Sequence, residues 1–112
     1  MSKDRRKYFD QLAATSRKYY VPWLSSYVRM GEGVCVLEIG CGEGGNLLPF
    51  AQAGCRVLGV DMAEGKIQAA ERFFAEEGVE GRFMASDIFA VKGLERQFDL
   101  IICHDVIEHV MD

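Results

Sequence analysis

Three glycines and an acidic residue in the middle of the chain have the types and spacing of a ligand-binding loop. Gly40, Gly42 and Gly45 fit the spacing G-x-G-x-x-G, in which missing Cβ atoms let the backbone turn tightly and let a ligand approach it. Asp61 ends the next predicted strand. An acidic side chain at that position can accept hydrogen bonds from both hydroxyls of a vicinal diol. An ordinary tight turn is the alternative interpretation, and the apolar strand pattern before the loop and the helical pattern after it disfavour that alternative.

The charges around this loop indicate which class of ligand it would accept. Glu38 lies two residues before Gly40 and Glu43 lies inside the loop, so a pyrophosphate placed here would meet two carboxylates. A cationic adenosine cofactor is therefore favoured over a dinucleotide. S-Adenosylmethionine (SAM) has an adenine, a ribose, a sulfonium and an α-ammonium group and no phosphate, so its charges match the loop.

The motif around these glycines resembles that of a known family. Residues 38–44 read Glu-Ile-Gly-Cys-Gly-Glu-Gly and resemble the first motif of the class I SAM-dependent methyltransferases, an acidic residue followed by G-x-G-x-G. Residues 105–110 read Asp-Val-Ile-Glu-His-Val and resemble the segment after the fourth strand in small-molecule methyltransferases of the ubiquinone-biosynthesis type. The resemblance covers residues 33–110 and implies methyl transfer from SAM to a small-molecule acceptor.

The resemblance also implies roles for single residues in binding the cofactor. Glu38 would face the ammonium group, the backbone of residues 40–44 would follow the methionine and ribose, and Asp61 would hold the ribose hydroxyls. Asp87, with Ile88, would contact the adenine, although Asp87 alone also suits a solvated turn or a helix N-cap. The complete set of predicted cofactor-binding residues is Glu38, Gly40, Cys41, Gly42, Gly44, Asp61, Met62, Asp87, Ile88, His104 and Asp105.

A cluster of titratable side chains near residue 110 could serve a metal or acid–base chemistry. His104 and His109 are five positions apart, about 140° around a helix axis, so they cannot both face one metal. Asp105, Glu108 and His109 could still form a metal site, and i, i+4 pairs that support a helix are the other interpretation. We predict no metal. His109 is the candidate general base for an acceptor that must lose a proton, with His104 in reserve.

The hydrophobic pattern predicts an α/β protein. Apolar runs predict strands at residues 34–39, 56–60, 82–85 and 98–103, and helical spacing predicts helices at 46–53 and 63–77. Strands that alternate with helices indicate right-handed crossovers and a parallel sheet. The resemblance implies a Rossmann-like sheet of order 3-2-1-4, flanked by helices.

Residues 1–30 are predicted to form an N-terminal helical cap, and residues 31–112 the N-terminal part of a SAM-binding methyltransferase domain. Tyr8, Phe9 and Leu12 recur at helical spacing in an amphipathic segment. The next stretch is unusually aromatic, and Pro22 is expected to break or start a helix there. We interpret its aromatic residues as packing rather than as a substrate lid. The stretch comprises Tyr19, Tyr20, Trp23 and Tyr27.

Composition limits the remaining functional classes. With 112 residues and 49% hydrophobic content, the chain is one globular domain at most. The four cysteines contain no C-x-x-C pair and are expected to be reduced. There is no transmembrane run and no secretory signal, so we expect a cytoplasmic protein without a membrane partner. The net charge of −4 argues against a nucleic-acid partner.

Relatives of the resembled family continue with a fifth strand, so the chain is expected to be truncated after the fourth. The outer edge of the fourth strand would then be uncovered, which predicts self-association into a homo-oligomer through residues 98–103. Two other functions remain open at this point. They are a SAM-binding module without catalysis and an NAD-dependent oxidoreductase.

Overall fold

The computed structural model describes residues 2–26, 29–87 and 97–103. An N-terminal helical segment is followed by strands and helices in alternation. Its elements are α1 (Ser2–Thr15), a π-helical turn (Ser16–Tyr20), α2 (Val21–Ser25), β1 (Cys35–Ile39), α3 (Leu48–Gln52), β2 (Arg56–Asp61), α4 (Glu64–Glu76), β3 (Arg82–Ala85) and β4 (Leu100–Ile102).

The four strands form one parallel sheet of order β3-β2-β1-β4, which confirms the predicted architecture. β1 pairs with β2 on one side, where Glu38 lies opposite Gly59, and with β4 on the other, where Glu38 lies opposite Ile102. Because all strands run the same way, the carboxyl ends of β1, β2 and β3 meet at one edge of the sheet.

Successive residues of the strands bury opposite faces, as the twofold period of a strand requires. Val36 and Val57 join the larger core on one face, whereas Leu37, Leu58 and Val60 form a smaller cluster on the other. α4 covers the larger core with a stripe of buried apolar residues. The stripe consists of Ile67, Ala69, Ala70, Phe73 and Phe74.

Several predicted element bounds shift by one or two residues. α3 is shorter than the predicted helix at 46–53, because residues 44–47 still form turns of the glycine loop. Pro49 occupies the first turn of α3, and Gly54 ends that helix with a φ of 98°. β4 is three residues long rather than six.

Pro22 lies in the first turn of α2, which agrees with the predicted helix start, and it does not break the helical segment. The backbone stays helical from Ser2 to Ser25, and the π-helical turn ends at Tyr20, two residues before the proline. π-helical turns are rare and occur mostly as single turns inside α-helices, as this one does.

The predicted packing of the aromatic stretch is correct for only part of it. Tyr20 packs against the larger core, but the side chains of Tyr19 and Trp23 are 58% and 64% exposed. Tyr27 lies outside the described residues. The difference arises because neighbouring positions of a helix point to different faces, so a run of aromatic residues cannot all be buried on one side.

α1 is fixed on α4 by apolar and polar contacts. The Phe9 ring lies 5.0 Å from the Phe73 ring, measured between centroids. Arg5 donates to the carbonyl of Gly65 at 3.0 Å, and Arg6 donates to Glu76 at 2.7 Å.

Across the described ranges, no helix has the length and apolar character that a membrane span requires.

Candidate functional site

The glycine loop turns sharply off the end of β1. Gly40, Gly42 and Gly44 have φ values of 78°, 57° and 88°, which residues with a side chain rarely adopt. The amides of Gly40 and Cys41 both donate to the carbonyl of Val60, at 2.7 and 3.0 Å. These bonds hold the start of the loop against the carboxyl end of β2.

Gly45, which the sequence assigned to the glycine spacing, has a different role from its neighbours. Its φ lies outside the left-handed region, but a Cβ there would stand 2.6 Å from the Cβ of Leu12 and 2.7 Å from the backbone oxygen of Phe9. Gly45 is therefore required for the close approach of α1 to the loop. A ligand does not explain this glycine.

Asp61 lies at the carboxyl end of β2 and fastens the loop from that side. Its Oδ2 accepts from the Gly42 amide and its Oδ1 from the Ala63 amide, both at 2.9 Å. Each carboxylate oxygen has a further lone pair, so Asp61 can bind the loop and still accept hydrogen bonds from a diol. Met62, the next residue, is 73% exposed and thus accessible to a ligand.

The end of β3 lies beside the end of β2. The Ser86 amide donates to the backbone oxygen of Asp61 at 2.9 Å, which places the exposed Asp87 at the same edge of the sheet. The structure thus brings the glycine loop, Asp61, Met62 and Asp87 to the same edge of the sheet.

Glu38 is a buried carboxylate directly before the loop, with 1% of its surface exposed. The Asn46 side-chain amide donates to Glu38 Oε2 at 3.0 Å. Sequence analysis missed Asn46 because it read this residue only as the start of a helix. A polar residue directly before the apolar run Leu47-Leu48-Pro49-Phe50 was the available signal.

Cys41 is buried within the loop and unsuited to nucleophilic chemistry. Burial, followed by the negative charges of Glu38 and Asp61, raises the pKa of its thiol far above the ordinary value. Its sulfur occupies the space beside Gly59, where an added Cβ would lie 2.7 Å from Sγ. The Cys41 side chain therefore packs within the loop.

The remaining predicted site residues lie outside the described residues. They are Ile88, His104, Asp105 and His109, together with Glu108 of the alternative metal site. Within residues 2–26, 29–87 and 97–103, no three His, Cys, Asp or Glu side chains are grouped so that they could hold a metal ion.

Two grooves of about 830 Å³ each lie away from the glycine loop. One runs along α1 and α4 and is lined by Arg6 and Glu76, which already pair with each other. The other includes Arg56 and Arg82, at the amino ends of β2 and β3. Because open α/β sheets bind ligands at the carboxyl ends of their strands, the loop edge is the stronger site.

Comparisons with known proteins identify the family of the chain. Residues 36–112 match the family described as "Methyltransferase domain". The ubiquinone biosynthesis O-methyltransferase of Leptothrix cholodnii is 36% identical over 93 residues, which are 80% of this chain and 39% of that protein. The enzyme of the same name from Stutzerimonas stutzeri is 34% identical over 94 residues, 82% of this chain and 40% of that protein.

The solved structures that match this chain also include methyltransferases. The magnesium protoporphyrin IX methyltransferase of Synechocystis PCC 6803, solved with bound SAM, superposes with a TM-score of 0.71 at 31% identity. The match covers 85% of this chain and 45% of that one. A parallel sheet of this order with an acidic glycine loop defines a Rossmann-like nucleoside-cofactor domain.

The chain belongs to the methyltransferase domain family, which confirms the resemblance found in the sequence. It spans about two fifths of the length of the curated relatives described above.

Proposed function

We propose that the protein is a SAM-dependent methyltransferase that acts on a small-molecule acceptor. The observation that carries this proposal is the placement of two carboxylates, Glu38 and Asp61, on either side of a glycine loop at the carboxyl ends of β1 and β2. This is a site for a ligand with a diol at one end and a positive charge at the other. The relatives named O-methyltransferases and the neighbour with bound SAM support the assignment.

The residues present fit the cofactor. The Glu38 carboxylate offers negative charge next to the loop, and the open backbone at Gly42, where a Cβ would meet nothing within 4 Å, offers room for close approach. Asp61 offers acceptors for the ribose, and the exposed Met62 and Asp87 lie where the adenine would extend. We propose these roles for the described residues and keep Ile88, His104 and Asp105 as proposed cofactor contacts.

Bound SAM supplies an electrophilic methyl group on a sulfonium, and the main task of the protein is to orient the acceptor towards it. Holding two reactants in a productive orientation can lower the activation free energy by about 7 to 11 kcal/mol, because their translational and rotational entropy is already lost on binding. We propose that His109, with His104 as the alternative, removes a proton where the acceptor has one to lose.

Calorimetry of the intact protein tests the cofactor assignment. SAM and S-adenosylhomocysteine are expected to bind, whereas NAD is not expected to bind even at about millimolar concentration, because its pyrophosphate would face Glu38 and Glu43. NAD binding without SAM binding would contradict the proposal and favour an oxidoreductase. Binding of SAM without methyl transfer to any acceptor would instead indicate a binding module.

We also propose that the 112-residue chain self-associates through β4. β4 is the last strand of the described sheet next to β1, no described strand pairs with its outer side, and Ile101 on it is 41% exposed. Apolar strand edges of this kind tend to pair with further strands. Light scattering on the purified chain is expected to show a dimer or larger species, and a monodisperse monomer at high concentration would contradict this expectation.

A cytoplasmic location is our last proposal for the protein as a whole. All four cysteines are free, and oxidising compartments favour disulfides.

A further inference from the structure

Asn46 connects the N-terminal helical segment with the buried carboxylate of the site. Its side-chain amide donates to Glu38 Oε2 at 3.0 Å, and its backbone oxygen accepts from the Ser16 hydroxyl at 2.8 Å. Ser16 lies in the π-helical turn and is fully buried. Three polar groups from three separate segments therefore form one buried chain of hydrogen bonds.

Stability alone does not explain an asparagine at this position. Asn46 is 4% exposed and is followed directly by the buried apolar residues Leu47 and Leu48. Its Oδ1 is buried and has no hydrogen-bond partner within the described part of the chain. A buried acceptor without a partner destabilises the folded state, which an apolar side chain at this position would avoid.

The hydrogen bond to Glu38 explains why an amide side chain is found at this position. A carboxylate that accepts a bond from a fixed amide is held in one orientation, and preorganised charges bind a ligand cation more strongly than mobile ones. The amide is itself fixed through its backbone bond to Ser16. The direction of the carboxylate thus depends on the docked N-terminal segment.

We propose that Asn46 is a positioning residue that orients the Glu38 carboxylate towards the α-ammonium group of SAM. The inference rests on the proposed function, because it presupposes that the intact protein binds this cofactor. The two ends of SAM should therefore respond differently: Asn46 affects binding of the amino-acid end and leaves binding of the adenosine end unchanged.

A pair of ligands and a pair of backgrounds test the proposal in the intact protein. S-Adenosylhomocysteine carries the α-ammonium group, whereas 5′-methylthioadenosine has the same adenosine and lacks it. Asn46→Ala is expected to weaken S-adenosylhomocysteine about tenfold and 5′-methylthioadenosine less than about twofold, as loss of a hydrogen bond to a charged group would do. In a Glu38→Ala background, Asn46→Ala is expected to produce no further loss for either ligand.

Gln52→Ala is the matched control, because it removes another amide that bonds the N-terminal segment, here to Arg17 at 2.7 Å, outside the loop. It should leave both affinities unchanged. Equal losses of both ligands in Asn46→Ala, or additive losses with Glu38→Ala, would overturn the inference and leave the proposed function standing. If the unmodified protein bound neither ligand, both the proposed function and the inference would fail.

A measurement on the unmodified protein covers the case in which Asn46→Ala does not fold. The side-chain amide protons of Asn46 are expected to shift in the NMR spectrum when S-adenosylhomocysteine is added and to stay in place with 5′-methylthioadenosine. Shifts of equal size with both ligands, or with neither, would overturn the positioning role.

Discussion

Asp61→Ala is expected to weaken SAM binding by more than about tenfold, because charge-assisted hydrogen bonds contribute about 1.5 to 3 kcal/mol. The loss has two sources. The ribose hydroxyls lose their acceptor, and the amides of Gly42 and Ala63 lose the carboxylate that holds them at 2.9 Å. Calorimetry with the intact protein measures the change, and circular dichroism verifies that the variant is folded.

The loss from Asp61→Ala should be similar for S-adenosylhomocysteine and 5′-methylthioadenosine, because both carry the ribose. This distinguishes it from the selective effect expected at Asn46. Glu64→Ala is the matched control, since it removes an exposed negative charge three residues further on, in the first turn of α4. An unchanged dissociation constant in a folded Asp61→Ala variant would show that this carboxylate contributes to cofactor binding neither directly nor through the loop.

Gly45→Ala is expected to destabilise the protein by about 2 to 3 kcal/mol, the upper part of the usual range for overpacking. The added methyl group would stand 2.7 Å from the backbone oxygen of Phe9, which cannot move aside as a side chain could. α1 would therefore have to shift away from the loop. Urea denaturation of the intact variant measures the change in the free energy of unfolding.

Gly65→Ala is the control, because its expected change in the free energy of unfolding has the opposite sign. A Cβ at Gly65 would meet only the Arg5 guanidinium at 3.8 Å, an ordinary contact, and alanine favours a helix by up to about 1 kcal/mol over glycine. This variant should be as stable as the parent or more so. If both glycine variants were equally stable, the close approach of α1 to the loop would not exist in solution.

Most of the fold could be predicted because its signals are local. The β-branched runs around Val36 and Val57 and the acid at the end of β2 act within a few residues of chain, and all are found as expected. The parallel order required the family resemblance in addition, because spacing alone does not determine which strand lies beside β1.

The parts that could not be predicted depend on contacts between distant segments. Gly45 matches a ligand-loop spacing, but the reason for it is α1, more than thirty residues earlier in the chain. The pairing of Asn46 with Glu38 arises from the way the loop folds back on β1, and a helical pattern does not reveal it. The exposure of Trp23 likewise follows from which face of α2 meets the larger core.

The position of α1 has a consequence for how the chain folds during synthesis. Its bonds to α4 join residues 60 and 70 positions apart, from Arg5 to Gly65 and from Arg6 to Glu76. Contacts of such separation form late, because the intervening chain must first be made and closed into a loop. On the ribosome, α1 emerges before any of its partners, so Phe9 must wait for α4 to cover it. We therefore expect α1, although it is made before its partners, to dock after them, and the glycine loop, held through Gly45, to reach its final shape only then.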